Sequence, residues 1–314
     1  MNLSTLASSV RDHPGLRGKR ALEAVASVLG GDGDDAAVIP DGADHLVMAA
    51  EAIWPPFVAA QPRAAGVAGV VTVLNDLAAT GARPIALLDC LVAGDRHLAG
   101  ELIAGLRTGA DLYGVPVVGG HTTVEESASP SLSTFAVGRA RAPLAARNAR
   151  AGDVVSLAVC LEGEMVRGGE GSFFSHLRGP RRARAAADLA LLADAADAGD
   201  AWAARDVSMP GVAGSLLQLC ESAGGLGCAL DLEALPVPPA TTLEEWLLTF
   251  PSYGFLLVGD PDALTARFAD AGLTCGPLGA FDASGTLRLR AGGVEEPVWD
   301  LSQQSLTGLR PPAR

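Results

Sequence analysis

Apolar residues recur at helical spacing over 63–80, where Val67, Val70, Val71, Leu74, Leu77 and Ala78 fall on one face of a 3.6-residue period. This is the clearest helix in the chain, and Gly81 stands where a C-terminal cap belongs. Asp76 falls in its last turns, where the helix dipole disfavours negative charge by roughly a few tenths of a kcal/mol. That placement hints at a use for the carboxylate. Upstream, a polar and poorly patterned lead runs into Pro14, Gly15 and Gly18, a composition that predicts a mobile loop. Leu22, Val25, Ala26 and Leu29 then take helical spacing. Two short strands are expected at 36–39 and 46–50, joined by a PDGAD turn, the second ending at Glu51. A buried strand over 84–92 and a helix over 97–113, closed by Gly114, come next. The strand VPVV is expected to break at Gly119-Gly120-His121-Thr122-Thr123, and a strand over 132–138 completes this half.

A connector carrying Arg139, Arg141, Arg147 and Arg150 follows, and it places a boundary near 146–152. The resulting division is 1–148 and 149–314. The second half opens with a strand over 154–160. Behind it runs a glycine-rich segment, 162–180, with the composition of a lid or substrate loop. A helix over 182–198 leads to Ser208-Met209-Pro210, where Ser208 is placed as N-cap of a helix reaching about Ser222. Strands at 228–232, 254–258 and near Leu278 and Leu287 alternate with helices at 243–250 and 261–271. Thr242 and Glu245 form a capping box for the first of these helices. Strands mixed with helices in both halves predict a two-domain α+β protein, with no repeat of solenoid period.

Composition narrows the function classes. Of 314 residues, 49% are hydrophobic and 19% charged, as in a well-buried globular chain. The formal net charge of -13 argues against a nucleic-acid partner, which calls for a basic surface. It leaves an anionic substrate open, since metals and local Arg or Lys can reverse the field. The 5 cysteines form no CxxC pair and lie in apolar segments, which fits a reduced cytoplasmic protein. No segment has the pattern of a signal peptide or a membrane span, so no membrane partner is expected.

The candidate chemistry centres on Gly30 to Val38, GGDGDDAAV. Glycines let the backbone turn sharply, and Asp32, Asp34 and Asp35 crowd negative charge into the turn. Such a turn either is solvated or holds a hard divalent cation, and Mg²⁺ is usually bound by one or two carboxylates plus substrate phosphates. A calcium hand is excluded, because its sixth and twelfth positions counted from Asp32 are Ala37 and Ala43. The 5 histidines are scattered with no HExxH, and GxSxG is absent, which disfavours zinc and serine hydrolases. Glu51 at a strand end, Asp76 and Asp206 ahead of a helix are further carboxylates at element ends. Each alone is equally a surface or capping residue. The glycines, hydroxyls and histidine of GGHTT suit a phosphate or ribose, or simply a turn. Lys19 stands either as a solvated lysine or as a cation entering the helix.

Taken in order, GDGDDAAVI, LNDLAATGARP, VPVVGGHTT and RDVSMPG resemble the aminoimidazole ribonucleotide (AIR) synthetase superfamily. This superfamily includes thiamine-monophosphate kinase, selenophosphate synthetase and the hydrogenase-maturation carbamoyl dehydratase. The resemblance covers about residues 15 to 290. It implies two α+β domains, mixed sheets with helices on one face, and a homodimer built through an N-terminal-domain β-barrel. It also implies ATP bound through Mg²⁺ and a small-molecule acceptor. By the same resemblance Asp35, Asp76 and Asp206 are metal ligands, with Asp34 beside them and Glu51 in support. Asn75, Gly119, Gly120, His121 and Thr122 line the nucleotide. Lys19 and Asp76 serve catalysis, Lys19 by approaching the phosphates. No family position claims Asp32.

The chain departs from the family pattern at three places. A strand that ends in Asp in the kinase and the selenium enzyme ends in Glu51. The kinase's SDG after DxS is Met209-Pro210-Gly211. The reactive Cys or selenocysteine before the lysine is missing, which removes selenium chemistry. The pattern therefore looks most like an AIR synthase-related branch whose acceptor these residues do not reveal. The expected activity is ATP-dependent phosphoryl transfer or ligation. Thiamine-monophosphate kinase and a silent nucleotide-binding regulatory protein are the alternatives.

Overall fold

The computed structural model describes residues 2–31, 33–168 and 171–310; Asp32, one carboxylate of the expected acidic turn, lies outside them. In chain order the elements are α1 (Leu3–Asp12), α2 (Pro14–Lys19), α3 (Glu23–Leu29), β1 (Ala37–Asp41), β2 (Asp44–Ile53), α4 (Pro55–Ala60), α5 (Pro62–Ala79), β3 (Arg83–Ala93), α6 (Arg96–Tyr113), β4 (Val117–Val124) and β5 (Ser131–Ala140). They continue with β6 (Val154–Val159), β7 (Glu164–Gly168), β8 (Gly171–Ser175), α7 (Ala185–Ala198), β9 (Ala201–Asp206), α8 (Gly211–Ser222), β10 (Gly227–Asp231), α9 (Leu243–Leu247), β11 (Phe250–Pro251), β12 (Gly254–Gly259), α10 (Pro261–Asp270), β13 (Thr274–Asp282), β14 (Thr286–Ala291) and β15 (Val294–Asp300).

The chain forms two compact units that are discontinuous in sequence. One comprises Asp35–Pro143 and Arg182–Asp194; the other comprises Met1–Asp34, Leu144–Arg181 and Ala195–Arg314. A single cut after residue 148 does not reproduce this partition. The first 34 residues join the second half, because the apolar face of α1 (Leu6, Ala7, Val10) is buried in that half's core.

In the unit around 35–143, a five-stranded sheet has the order β1-β2-β5-β3-β4. All neighbours are antiparallel except β3 and β4. α5 and α6 cover one face, and they approach closely because Gly66 and Gly105 leave no side chain between their backbones. α5 is buried through its second half, as an apolar helix under a sheet must be. The other face carries exposed Met48, Leu88 and Phe135. Arg83 reaches Asp194 at 2.6 Å and so ties the 182–194 segment to this sheet.

The other unit holds a seven-stranded mixed sheet, β15-β14-β10-β13-β6-β12-β9, and a three-stranded one, β11-β8-β7. Every residue of α8 is buried, and its Leu216, Leu217 and Leu219 join Leu256, Phe281 and Leu289 in the core.

Several local expectations change. The lead is helical: Asn2 caps α1 by accepting from the Thr5 N–H, and α2 replaces the expected loop, with Pro14 at its first turn. β2 runs two residues past Glu51, which pairs in register with Thr134. GGHTT does not break its strand; it lies inside β4, paired in parallel with β3. Within the glycine-rich run 162–180, β7 and β8 pair antiparallel, and Arg167 of β7 grips Glu245 at 2.7 and 3.0 Å. Ser208 makes no side-chain cap; its N–H donates to Ser215 Oγ at 3.0 Å, and Pro210 precedes α8. β15 is a strand that periodicity alone did not expose.

Candidate functional site

The acidic turn is built by backbone geometry. Gly30, Gly31 and Gly33 all have positive φ, of 66°, 130° and 75°, which ordinary side chains disfavour. Just past them Asp34 spends one carboxylate oxygen on structure, accepting from the Ala146 N–H at 3.0 Å. Asp35 follows, half-buried, two residues ahead of the start of β1. Asp76 projects from the buried part of α5 with only 7% of its surface exposed, and Asn75 beside it is 1% exposed. Carboxylate oxygens of Asp35 and Asp76 come within 4.8 Å of each other.

Two carboxylates with oxygens this close, one of them buried, can offer ligand atoms to one shared cation. All-oxygen, anionic donors are the set that Mg²⁺ prefers over softer metals. The residues therefore fit the metal that the sequence implies.

The other expected residues of this unit sit at defined places. Glu51 is half-buried on β2, away from its end. Gly119, Gly120, His121 and Thr122 lie exposed on β4, the edge strand of the sheet, with one backbone edge paired to β3. His121 Nε2 lies 3.3 Å from Thr123 Oγ1. Gly120 is required by packing, because a Cβ there would strike the backbone and carboxyl of Asp89, its register partner. Burial pushes the Asp89 carboxyl pKa upward.

In the other unit, Asp206 ends β9 and is 6% exposed. Lys19 ends α2, which begins under a cap made by His13: its Nδ1 accepts from the Gly15 N–H at 3.1 Å. Burial lowers the His13 pKa, in keeping with an acceptor nitrogen that has to stay unprotonated. α2 presses against the segment that follows Asp206, since a Cβ on Gly15 would come within 2.9 Å of the Met209 carbonyl carbon. Lys19 and Asp206 thus belong to abutting segments of one unit.

Sequence reasoning missed the residues that fix the turn. Arg205 Nη1 donates to the Gly33 carbonyl at 2.9 Å, and Ser222 Oγ donates to the same oxygen at 2.9 Å. Arg205 directly precedes Asp206, so its position in RDVS was the available signal; nothing in the sequence pointed to Ser222.

Residues 33–140 match the family model described as AIR synthase related protein, N-terminal domain. An uncharacterised protein of Synechocystis sp. is 32% identical over 293 residues, 88% of this chain and 86% of the relative. The thiamine-monophosphate kinase of Archaeoglobus fulgidus is 29% identical over 126 residues, 38% of this chain and 41% of that enzyme. Among solved structures, Thermotoga maritima PurL complexed with ATP superposes with a TM-score of 0.72 at 20% identity. That superposition covers 87% of this chain and 46% of the PurL chain, so the chain spans about half of PurL's length. At that identity the likeness speaks for the fold.

Proposed function

This chain belongs to the AIR synthetase superfamily, and from that premise we propose that it is an ATP- and Mg²⁺-dependent enzyme transferring or using the terminal phosphoryl group on a small-molecule acceptor. The observation that carries this reading is the Asp35–Asp76 carboxylate pair, within 4.8 Å, inside the segment that matches the family model. ATP as the nucleotide is supported by the fold shared with PurL complexed with ATP.

Asp35 and Asp76 hold Mg²⁺, and on the family pattern Asp206 belongs to the same ligand set, with Asp34 and Glu51 in support. When bound, the metal neutralises charge on the phosphate oxygens. The chain's own contributions are positioning and charge. Asn75 and the Gly119–Gly120–His121–Thr122 stretch of the β4 edge offer backbone and side-chain groups to the nucleotide. Lys19 brings a cation to the phosphates. In the transfer itself the acceptor's oxygen bonds the γ-phosphorus, the bond to the β-γ bridging oxygen breaks, ADP leaves, and the acceptor's proton passes to solvent. Catalysis on this scheme is mainly alignment and electrostatic stabilisation. No helix among the described residues is long and apolar enough to cross a membrane.

The exposed face of the five-stranded sheet fits the homodimer that the family implies. Met48, Leu88 and Phe135 are 50%, 46% and 38% exposed there, an apolar cluster that a second copy would cover.

ADP release assayed across candidate acceptors tests the proposal. Turnover that requires Mg²⁺ and disappears in Asp35→Asn and Asp76→Asn supports it. Nucleotide binding without turnover for any acceptor favours a silent nucleotide-binding protein instead. A narrower reading, thiamine-monophosphate kinase, draws on the identity to the Archaeoglobus fulgidus enzyme; Met209-Pro210-Gly211 weighs against it, and one assay with thiamine monophosphate decides it.

A further inference from the structure

The end of α8 holds two distant stretches of chain at once. Its last residue, Ser222, bonds the Gly33 carbonyl of the acidic turn at 2.9 Å. The residue before it, Glu221, has a side chain only 1% exposed and grips the segment 306–310. Its carboxylate accepts from the Leu306 N–H at 2.8 Å, the Thr307 N–H at 2.8 Å, the Thr307 hydroxyl at 2.7 Å and the Gly308 N–H at 3.3 Å. The Arg310 guanidinium lies 3.7 Å away. Three backbone N–H groups converging on one carboxylate form an anion nest, here filled by a side chain of the same protein.

This segment also touches the turn. A Cβ at Gly31 would lie in ordinary contact with Leu309 Cδ2, at 3.5 Å, whereas one at Gly33 would collide with Ser222 Oγ at 2.7 Å and the Leu309 carbonyl oxygen at 2.9 Å. Gly308 lies against Ala26 and Glu23 of α3, the helix that leads into the turn. The Gly33 carbonyl is thus held by Arg205 and Ser222 and the Asp34 carboxylate by the Ala146 N–H, while Leu309 lies against Gly31 and Gly33. Asp35 is the next residue along.

We propose that Glu221 is a positioning residue that docks the 306–309 segment as a strap over the glycine turn, so that the turn presents Asp35 in its metal-binding conformation. This rests on the reading of Asp35 as a Mg²⁺ ligand. A turn with three positive-φ glycines has many accessible conformations. Ordering it only when metal arrives would subtract that entropy from the binding free energy; an already docked strap avoids the loss.

The test uses full-length protein and Mn²⁺ as a paramagnetic probe for the divalent site. Free Mn²⁺ is measured by electron paramagnetic resonance, amide exchange is followed at residues 33–36, and melting temperature is recorded in parallel. Wild type should bind Mn²⁺ and Asp35→Asn should not. Glu221→Gln should weaken Mn²⁺ about tenfold, the low end of what a supporting residue contributes to a metal site, and should speed exchange at the turn. Thr307→Ala, a milder lesion in the same clasp, should move both readouts the same way with little change in melting temperature. Glu295→Gln, which loses an ion pair with Arg288 on the β14–β15 hairpin, should move neither. If wild type and Asp35→Asn bind Mn²⁺ alike, the metal reading itself fails. If Asp35→Asn abolishes binding while Thr307→Ala and a folded Glu221→Gln keep wild-type affinity and exchange, the strap is overturned and the metal reading stands.

Discussion

Asp35 and Asp76 bring carboxylate oxygens within 4.8 Å of each other, one residue from a glycine turn and the other from a buried helix. Asp76→Asn removes one of the two charges while keeping the shape of the side chain. Adding millimolar Mg²⁺ should raise the melting temperature of wild type and leave that of Asp76→Asn unchanged, since only a ligand of the folded state stabilises it. Scanning fluorimetry with and without Mg²⁺ reads both. A variant that responds to Mg²⁺ as wild type does would contradict the pairing.

His13 predicts a pH dependence with a definite sign. Its Nδ1 accepts a hydrogen bond in the folded chain, and burial holds its pKa below the ordinary 6.5. As pH falls through about 6.5, the unfolded chain takes up a proton first, so stability declines toward the lowered folded value. The slope from this one group is at most about 1.4 kcal/mol per pH unit. His13→Asn keeps a cap acceptor but not the titration. Urea denaturation between pH 7 and 5 should show a smaller loss of stability for His13→Asn than for wild type; equal losses would remove His13 as the cause.

The exposed sheet face yields a prediction about assembly. Phe135 lies in register with Leu88 on one side and Ala50 on the other, so a charge at 135 enters the middle of the apolar face. Phe135→Glu should convert a dimer to a monomer in light scattering at micromolar concentration, and its solubility should not fall. A wild-type chain that is already monomeric there would refute the dimer.

The two glycines of GGHTT should respond very differently to a methyl group. At Gly120 a Cβ would run into the backbone of Asp89, so Gly120→Ala should cost about 1–3 kcal/mol in urea denaturation. At Gly119 the nearest contact is Leu88 Cδ2 at 3.4 Å, a flexible methyl, and Gly119→Ala should change stability by less than about 1 kcal/mol. Equal effects would show that the β3–β4 register does not dictate the glycine.

This contrast also shows what the sequence could and could not reveal. GGHTT stood out as a motif, but two glycines looked like the end of a strand. Only the parallel pairing to β3, and the Asp89 carboxyl opposite, explain why small residues lie within one. α5 was legible almost to the residue because Val67, Val70, Val71, Leu74, Leu77 and Ala78 recur at helical spacing, although the folded helix is buried nearly all round in its second half. α1 was not, because serines and a threonine dilute the Leu3, Leu6, Ala7 and Val10 spacing and the stabilising surface comes from the far end of the chain. β15 left a trace that periodicity overlooked: Ala291 pairs with Val294 across Gly292-Gly293, a two-residue turn with both φ positive. Among the site residues, Asp35 and Asp76 announced themselves through the acidic turn and a charge at a helix end. Ser222 and Glu221 act through hydrogen bonds to segments far away in sequence, which leave no local pattern, and Arg205 was signalled only by its place before Asp206.

Whether Asp35 and Asp76 form a Mg²⁺-dependent ATP site is decided by calorimetric titration of ATP into wild type and Asp76→Asn, each with and without Mg²⁺. Saturable binding by wild type that needs Mg²⁺, weakened about tenfold or more in Asp76→Asn, is the expected result. ATP binding indifferent to both Mg²⁺ and the substitution, or no binding by wild type at all, would contradict the claim.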